Sequence, residues 1–424
     1  MKQILNIKSL LGKKVVKNGL WMLVLQTFNM IIPLLTIPYI TRVLGSAGYG
    51  SFSVALNWVL YFMVIVEYGF NLNGARKVAL DTSKENIQKL SNNILSARFI
   101  LTIISLASLL IIWAITDGTL SSLYCMLLLF LMVLGTSFCL TWLFQGMQDM
   151  KFITLANVLA RTISVACIFL FVSEPEHIFR YCLFYSCTYV ISSIIGFYIC
   201  RTKYDLKFCF SDLKSIINEL KEGWFLFVSA AMICIFSNFG ITVLGNSVSD
   251  SLVGAFAAIH KIPYVMSVLF IAVSRAIYPY ISKGFAISPQ EGIRKIKKTL
   301  LPVITGFSLI GVFLIFFKNI IVEIAFGDEY IAYSFLLIPF VFQFLFAVIN
   351  NFIGVQSLVA NGHSKEYSIS ISIGMLIIVI SNIALIKYYG VGGAAYASLL
   401  SEAFLTMILI YMNKRIYFNK ECHV

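Results

Sequence analysis

Apolar stretches long enough to cross a bilayer follow one another along almost the whole chain, and Lys and Arg gather in every second gap between them. A helix needs about 20 mainly apolar residues to cross a hydrocarbon core about 30 Å thick. Twelve such stretches can be marked, at 18–42, 48–71, 94–115, 119–145, 152–173, 177–200, 219–245, 251–281, 298–317, 330–360, 366–386 and 391–412. Inside a bilayer the backbone must satisfy its own hydrogen bonds, which makes such spans helical. The expected fold is therefore an all-α polytopic membrane protein with twelve transmembrane helices. Composition agrees: 59% of the 424 residues are hydrophobic and 12% are charged.

The charge pattern orients the spans. Lys2, Lys8, Lys13, Lys14 and Lys17 precede the first, and Arg76, Lys77, Lys84 and Lys89 follow the second. Arg201, Lys203, Lys207, Lys214 and Lys221 follow the sixth, Lys283, Arg294, Lys295, Lys297 and Lys298 follow the eighth, and Lys414, Arg415 and Lys420 close the chain. The alternate gaps hold Arg42, Arg180, Lys318 and Lys387 beside Asp117, Glu174, Glu176, Asp250, Asp328 and Glu329. Cytoplasmic loops carry the excess of Lys and Arg, so both termini are expected in the cytoplasm. The net charge of +13 is then a topology signal rather than a nucleic-acid surface, because no soluble domain concentrates it. The first span is longer than the 7–15 apolar residues of a signal peptide. Nine scattered cysteines, at 125, 139, 167, 182, 187, 200, 209, 234 and 422, form no CxxC pair and read as packing residues.

Two halves are expected, 1–205 and 206–424, as pseudo-symmetric six-helix bundles around a central cavity. The linker from Arg201 to Gly223 is basic, and Ser211 is placed to cap a helix with Leu213, Ile216, Ile217 and Leu220 on one face, lying along the membrane. Ser288-Pro289-Gln290-Glu291 is a helix start with proline at its first position, and Thr82 with Glu85 has capping-box spacing. The halves repeat in register. Lys17-Asn18-Gly19 answers Lys221-Glu222-Gly223, Val43-Leu44-Gly45 answers Val243-Leu244-Gly245, and the run from Gly50 to Ala55 answers that from Gly254 to Ala258. Duplicated halves that insert in the same sense place a substrate site between them. Pro33, Pro38, Pro263, Pro279, Pro302 and Pro339 fall in or at the ends of spans, where the missing N–H kinks a helix.

No phosphate-binding loop, nucleophile elbow or HExxH motif occurs, and His177, His260, His363 and His423 are dispersed. The expectation is a protein that is not an enzyme and needs no cofactor or metal. Intramembrane charge is the informative remainder. An ionisable group deep in a span costs at least about 2.5–3.5 kcal/mol, so it faces a wet interior and works there. Lys261, between His260 and Pro263, is the leading site candidate, followed by Arg161; a structural ion pair of Lys261 with Glu402 or Glu67 is the alternative. Glu67 and Glu402 are coupling candidates. Arg98 and Arg275 stand near the cytoplasmic ends of their spans, within snorkelling reach of the headgroups, and Arg42 near the opposite end of the first. An interior of Lys261, Arg161, His260 and rim arginines favours an anion, with phosphate or pyrophosphate foremost.

Several runs together resemble a known family. Pro38-Tyr39-Ile40-Thr41-Arg42-Val43-Leu44-Gly45-Ser46-Ala47-Gly48-Tyr49-Gly50-Ser51-Phe52-Ser53 is similar to the first-loop signature of O-antigen flippases of the Wzx type. These belong to the polysaccharide-transport branch of the multidrug/oligosaccharidyl-lipid/polysaccharide (MOP) superfamily. Tyr68 to Arg76, Trp142-Leu143-Phe144-Gln145-Gly146, Tyr278-Pro279 and the run from Tyr389 to Ala395 leading to Glu402 fit the same pattern. The resemblance implies a MATE/MOP-like fold of two six-helix bundles in a V. It implies translocation of an undecaprenyl-pyrophosphate-linked oligosaccharide across the bacterial inner membrane by alternating access. Spans one, two, seven and eight would line the cavity, and Lys261, Arg161, Arg98 and Arg275 would hold the pyrophosphate. A proton or sodium ion is the expected coupling ion, the lipid tail stays among membrane lipids, and the polysaccharide polymerase and chain-length machinery are expected partners; nucleic acid is not. A multidrug exporter or lipid II flippase of the same superfamily is the alternative.

Overall fold

In the computed structural model, ten helical segments among the described residues are long and apolar enough to cross a membrane, and the chain is helical almost throughout. The structure describes the backbone of residues 2–116 and 118–421 and the side chains of 16–116 and 118–416. Asp117, Cys422 and His423, and the side chains of Lys2, Lys8, Lys13, Lys14 and Lys420, lie outside the described residues.

Fourteen α-helices follow in order. They are α1 (Lys2–Glu67), α2 (Phe70–Leu80), α3 (Lys84–Ile115), α4 (Leu120–Ser137), α5 (Thr141–Gly146), α6 (Met150–Phe171) and α7 (Ile178–Tyr204). Then come α8 (Leu213–Gly245), α9 (Asp250–Ile259), α10 (Lys261–Phe285), α11 (Pro289–Phe316), α12 (Lys318–Phe326), α13 (Leu337–Ile353) and α14 (Ser364–Glu421). Two of the ten apolar segments, Val16–Leu80 with 65 residues and Ser364–Ile416 with 53, far exceed one bilayer crossing. Each is broken at a glycine. Gly45 has φ 67° and ψ 178°, and Gly390 has φ 54° and ψ −131°, a half of backbone space that a β-carbon disfavours. The breaks fall at the gaps read from the sequence at 42–48 and 386–391.

The chain divides into two compact units, Met1–Thr36 with Val54–Cys234, and Ile37–Ser53 with Ile235–Val424. In the first, α7 packs along both α4 and α6. Trp142 is fully buried there beside Phe70, Ile94 and Leu143, and a β-carbon on Gly74 would stand 3.0 Å from its indole. Lys77 of α2 bonds Glu219 at 2.7 Å and Glu222 at 2.9 Å on α8.

The linker of this unit differs from the expectation. Residues 207, 209 and 211 run as an extended strap whose alternate backbone N–H groups donate to Gln88 Oε1 (3.0 Å), Asn92 Oδ1 (3.2 Å) and Ser96 Oγ (3.0 Å) on α3. A period of two on the strap thus meets a period of four on the helix. Ser211 does not cap α8: its hydroxyl donates to Asn93 Oδ1, and Asp212 accepts from Ser215 N at 3.1 Å instead. Likewise Ser83, not Thr82, caps α3, accepting from Asn86 N. Ser288 caps α11 through Glu291 N, with Pro289 in the first turn as the sequence indicates.

In the second unit α13 packs against α14, and α10 against α11. Phe270, Phe307 and Phe344 meet edge to face, with ring centroids 5.2–6.4 Å apart. Such pairs add about 0.5–1.5 kcal/mol each beyond their burial.

Candidate functional site

The second unit holds a polar break in a membrane-length segment. α9 ends at Ile259 and α10 begins at Lys261, with His260 between them. The cause is Pro263, which has no N–H to return to the Ile259 carbonyl, so the ladder loses a rung one turn into α10. Tyr264 N still reaches the His260 carbonyl at 3.3 Å. A freed carbonyl at membrane depth is tolerated where it meets a cavity or a partner.

That break borders a cavity of about 190 Å³. Its polar wall includes His260, Gln343, Ser267, Ser398 and Glu402, and its aromatic wall includes Phe256 and Phe340. The His260 ring stacks near Phe256 (6.1 Å, 12°) and against Phe340 (4.8 Å, 58°), which fixes its plane. The volume is below the roughly 300–1,000 Å³ of pockets for drug-sized ligands. It takes water, an ion or one small group, not a whole oligosaccharide.

Glu402 is buried on α14 and is held by Asn350 of α13. The Asn350 amide donates to Glu402 Oε2 at 2.7 Å and to the Glu402 carbonyl at 2.9 Å, while Thr406 Oγ1 donates to Asn350 Oδ1 at 2.7 Å. No cation lies within ion-pair distance of Glu402 among the described residues. A buried carboxylate with one donor and no counter-charge is costly, so the site calls for a positive ion or a proton. A second polar junction lies nearby in chain position. Gln356 donates to the Ser274 carbonyl (2.9 Å) and hydroxyl (3.0 Å), and Ser274 donates to Asn351 Oδ1 at 2.7 Å. Gln356 sits in a π-helical turn at Gly354–Val359, a feature that recurs at functional sites.

His260 and Glu402 therefore share one cavity, and Lys261 stands beside it with its Nζ 5.8 Å from the centre of the Tyr264 ring. Lys261 makes no ion pair with Glu402 or Glu67 among the described residues. The other candidates lie elsewhere. Arg161 on α6 donates to Asn29 Oδ1 on α1 at 2.5 Å through one nitrogen. Arg275 is exposed on α10. Arg98 is fully buried rather than extended to a membrane surface. Its guanidinium donates to the Thr136 carbonyl (3.2 Å) and Cys139 carbonyl (2.5 Å) at the end of α4, reaches Asn71 Oδ1 at 3.5 Å and lies over the Phe70 ring. Arg42 donates to the Glu323 carbonyl at 3.2 Å and to that of Ile324, closing the last turn of α12. Glu67 accepts from Gly69 N (3.0 Å) and Asn71 N (3.1 Å), supplying a carboxylate to the N-terminus of α2.

Asn350 and Gln343 were not singled out from the sequence. The signal for Asn350 was the pair Asn350-Asn351 in an otherwise apolar span, since a buried amide must find a partner.

Residues 15–285 match the family model described as "Polysaccharide biosynthesis protein". The chain is 28% identical over 414 residues to a protein named "Putative O-antigen transporter" from Escherichia coli (strain K12), covering 93% of this chain and 95% of that one. It is 27% identical over 402 residues to a protein of the same name from Shigella dysenteriae, covering 93% and 98%. In fold it is similar to an inward-facing MATE-family multidrug resistance transporter of the MOP superfamily, with TM-score 0.68 and 12% identity over 92% of this chain and 99% of that one. It is similar also to the lipid II flippase MurJ in an inward closed conformation, with TM-score 0.67 and 16% identity over 93% and 87%. The fold is accordingly that of MOP-superfamily transporters, all-helical and multi-pass.

Proposed function

The chain belongs to the polysaccharide biosynthesis protein family, and on that footing we propose that it is a flippase for lipid-linked O-antigen-type repeat units, working by alternating access and not as an enzyme. The substrate is an oligosaccharide on undecaprenyl pyrophosphate, and the site of action is the bacterial inner membrane. Twelve crossings, with both termini cytoplasmic, form two bundles over 1–205 and 206–424.

One observation carries the reading: Lys261 stands at a proline-induced break in a spanning segment with no carboxylate paired to it among the described residues. A lysine kept there without an internal partner suits an anionic headgroup arriving from outside. Arg98 and Arg42 already hold carbonyls, which leaves Lys261, Arg161 and Arg275 for the pyrophosphate. Glu402, with His260 across the same cavity, is the coupling group, taking a proton or a monovalent cation from the membrane gradient. The polymerase and chain-length machinery are the partners on the far side.

Lys261→Ala tests the assignment. In a variant verified as membrane-inserted, translocation of the lipid-linked repeat unit is expected to stop and the intermediate to accumulate. Lys261→Arg, which keeps the charge, is expected to retain part of the activity. Unchanged translocation in Lys261→Ala overturns the headgroup role. Unchanged glycan export from cells lacking the protein overturns the flippase reading itself.

A further inference from the structure

The strap that joins α7 to α8 encloses a cleft that the transport reading does not use. Its walls are α3 (Gln88, Ser91, Asn92), the last turn of α7 (Arg201) and the strap itself (Lys207, Phe208). Only about 10 Å³ is available inside, room for about one water-sized atom. Ser91 is buried, 2% exposed, and its hydroxyl has no hydrogen-bond partner. A buried donor without an acceptor costs about as much as a lost hydrogen bond, so an acceptor is called for at that point.

The mouth of the cleft is cationic. Arg201 and Lys207 are exposed and make no ion pair among the described residues. Asp205, two residues from Lys207, is already held by Lys84 at 2.7 Å, which keeps its carboxyl below the usual range. Beside the cations the surface turns apolar: Phe208 and Phe210 are 47% and 56% exposed, and Phe99 lies edge-on to Phe210 at 6.1 Å. An oxyanion-sized socket with a free donor, two unpaired cations at its rim and exposed aromatic rings alongside has the chemistry of a lipid headgroup seat.

We propose that this cleft binds the phosphodiester of an anionic phospholipid such as phosphatidylglycerol. One non-bridging oxygen enters to meet the Ser91 hydroxyl, Arg201 and Lys207 hold the phosphate, and the acyl chains lie over Phe208, Phe210 and Phe99. The bound lipid then clips the strap, and with it the start of α8, to the membrane surface.

The test is co-purification of lipid with the full chain in nanodiscs, read by native mass spectrometry with phosphatidylglycerol and phosphatidylcholine in equal amounts. The wild type is expected to retain phosphatidylglycerol preferentially. Arg201→Ala/Lys207→Ala is expected to lose that preference, by about fivefold for each cation removed. Arg294→Ala/Lys298→Ala, which removes as much charge on α11, is expected to keep it. Ser91→Ala, which leaves the surface charge intact, is expected to weaken retention, and it stands as the deciding variant where the double alanine variant fails to fold. Equal retention of the two lipids by the wild type, or unchanged retention in both the double variant and Ser91→Ala, overturns the site. Displacement of phosphatidylglycerol by excess inorganic phosphate in nanodiscs also overturns it, because the occupant is then a free anion rather than a lipid.

Discussion

Gly50 and Gly254 lie against each other, so close that a β-carbon on Gly50 would stand 1.8 Å from the Asp250 carbonyl oxygen and one on Gly254 1.9 Å from that of Ser46. The two glycines thus let α9 pack closely on the stretch of α1 that follows Gly45. Ser46 and Glu329 secure the same region, the Ser46 N–H donating to Glu329 Oε2 at 3.0 Å and its hydroxyl to the other carboxylate oxygen. Ser51 adds a bond to the Asp250 carboxylate.

Gly50→Val is expected to destabilise the protein strongly. Overpacking in a tight core costs about 1–3 kcal/mol, and here the obstacle is backbone, which cannot swing aside as a side chain does. The thermal midpoint of the detergent-purified protein is the measurement. Gly306→Ala, where a β-carbon meets nothing within 4 Å, is the matched control and is expected to be neutral or to stabilise by about 0.5–1 kcal/mol.

Arg98→Ala is expected to fail in folding rather than in transport alone. The substitution strands the Cys139 carbonyl, since that of Thr136 still accepts from Cys139 N at 3.2 Å, and leaves a void where a fully buried side chain stood. A stranded acceptor costs about 1–3 kcal/mol. Arg98→Lys is not expected to rescue it, because an ammonium lacks the planar fork that reaches both carbonyls and Asn71. Yield of monodisperse protein by size-exclusion chromatography separates this outcome from a pure transport defect; a well-folded, transport-dead Arg98→Ala would place the guanidinium in the substrate path instead.

Much of this was legible in the sequence, for reasons that differ between fold and site. Hydropathy marks spans because the bilayer permits so few backbone solutions, and the breaks at Gly45 and Gly390 stand where charge and glycine signalled turns. Caps were legible only to within a residue: Asp212 and Ser83 took the places assigned to Ser211 and Thr82, since adjacent short polar residues compete for one cap and chain geometry decides. The role of a charged residue is harder to read from the sequence than its place in the chain. An arginine near a span end looks the same in sequence whether it snorkels or, like Arg98, turns inward to carbonyls from elements about 40 residues away in the chain. The polar residues Gln88, Asn92, Asn93 and Ser96 of α3 pair with an extended strap whose period of two matches no helical pattern, so periodicity alone does not disclose their partner.

Glu402→Gln is expected to leave the fold intact and remove dependence on the ion gradient. The amide oxygen still accepts from Asn350, so the α13–α14 junction keeps its bond. What disappears is the negative charge in the cavity and with it the attraction for a proton or cation. Transport driven by an imposed gradient in proteoliposomes is the readout, and gradient-dependent transport that survives in Glu402→Gln rules this carboxylate out as the coupling group. Asn350→Ala is expected to be worse for stability, by about 1–3 kcal/mol, because it leaves the buried carboxylate without its donor, while the Thr406 hydroxyl keeps the Glu402 carbonyl at 2.9 Å.

Glu67 gives the contrasting case, a carboxylate whose two oxygens already have backbone donors. Its two oxygens accept from Gly69 N and Asn71 N, in the first turn of α2, where backbone N–H groups have no intrahelical partner and the helix dipole favours a negative charge. Gly69 itself sits at φ 76°, a conformation the carboxylate helps to hold. Glu67→Ala is therefore expected to cost about 0.5–2 kcal/mol, the usual penalty for losing a helix cap. Glu67→Gln retains an acceptor oxygen and should lose only part of that, with coupled transport unchanged per folded molecule. Thermal midpoints and gradient-driven transport measured on both variants give the answer. If Glu67→Gln is as stable as the wild type yet uncoupled, Glu67 rather than Glu402 carries the ion, and the cavity beside His260 is not where the gradient acts.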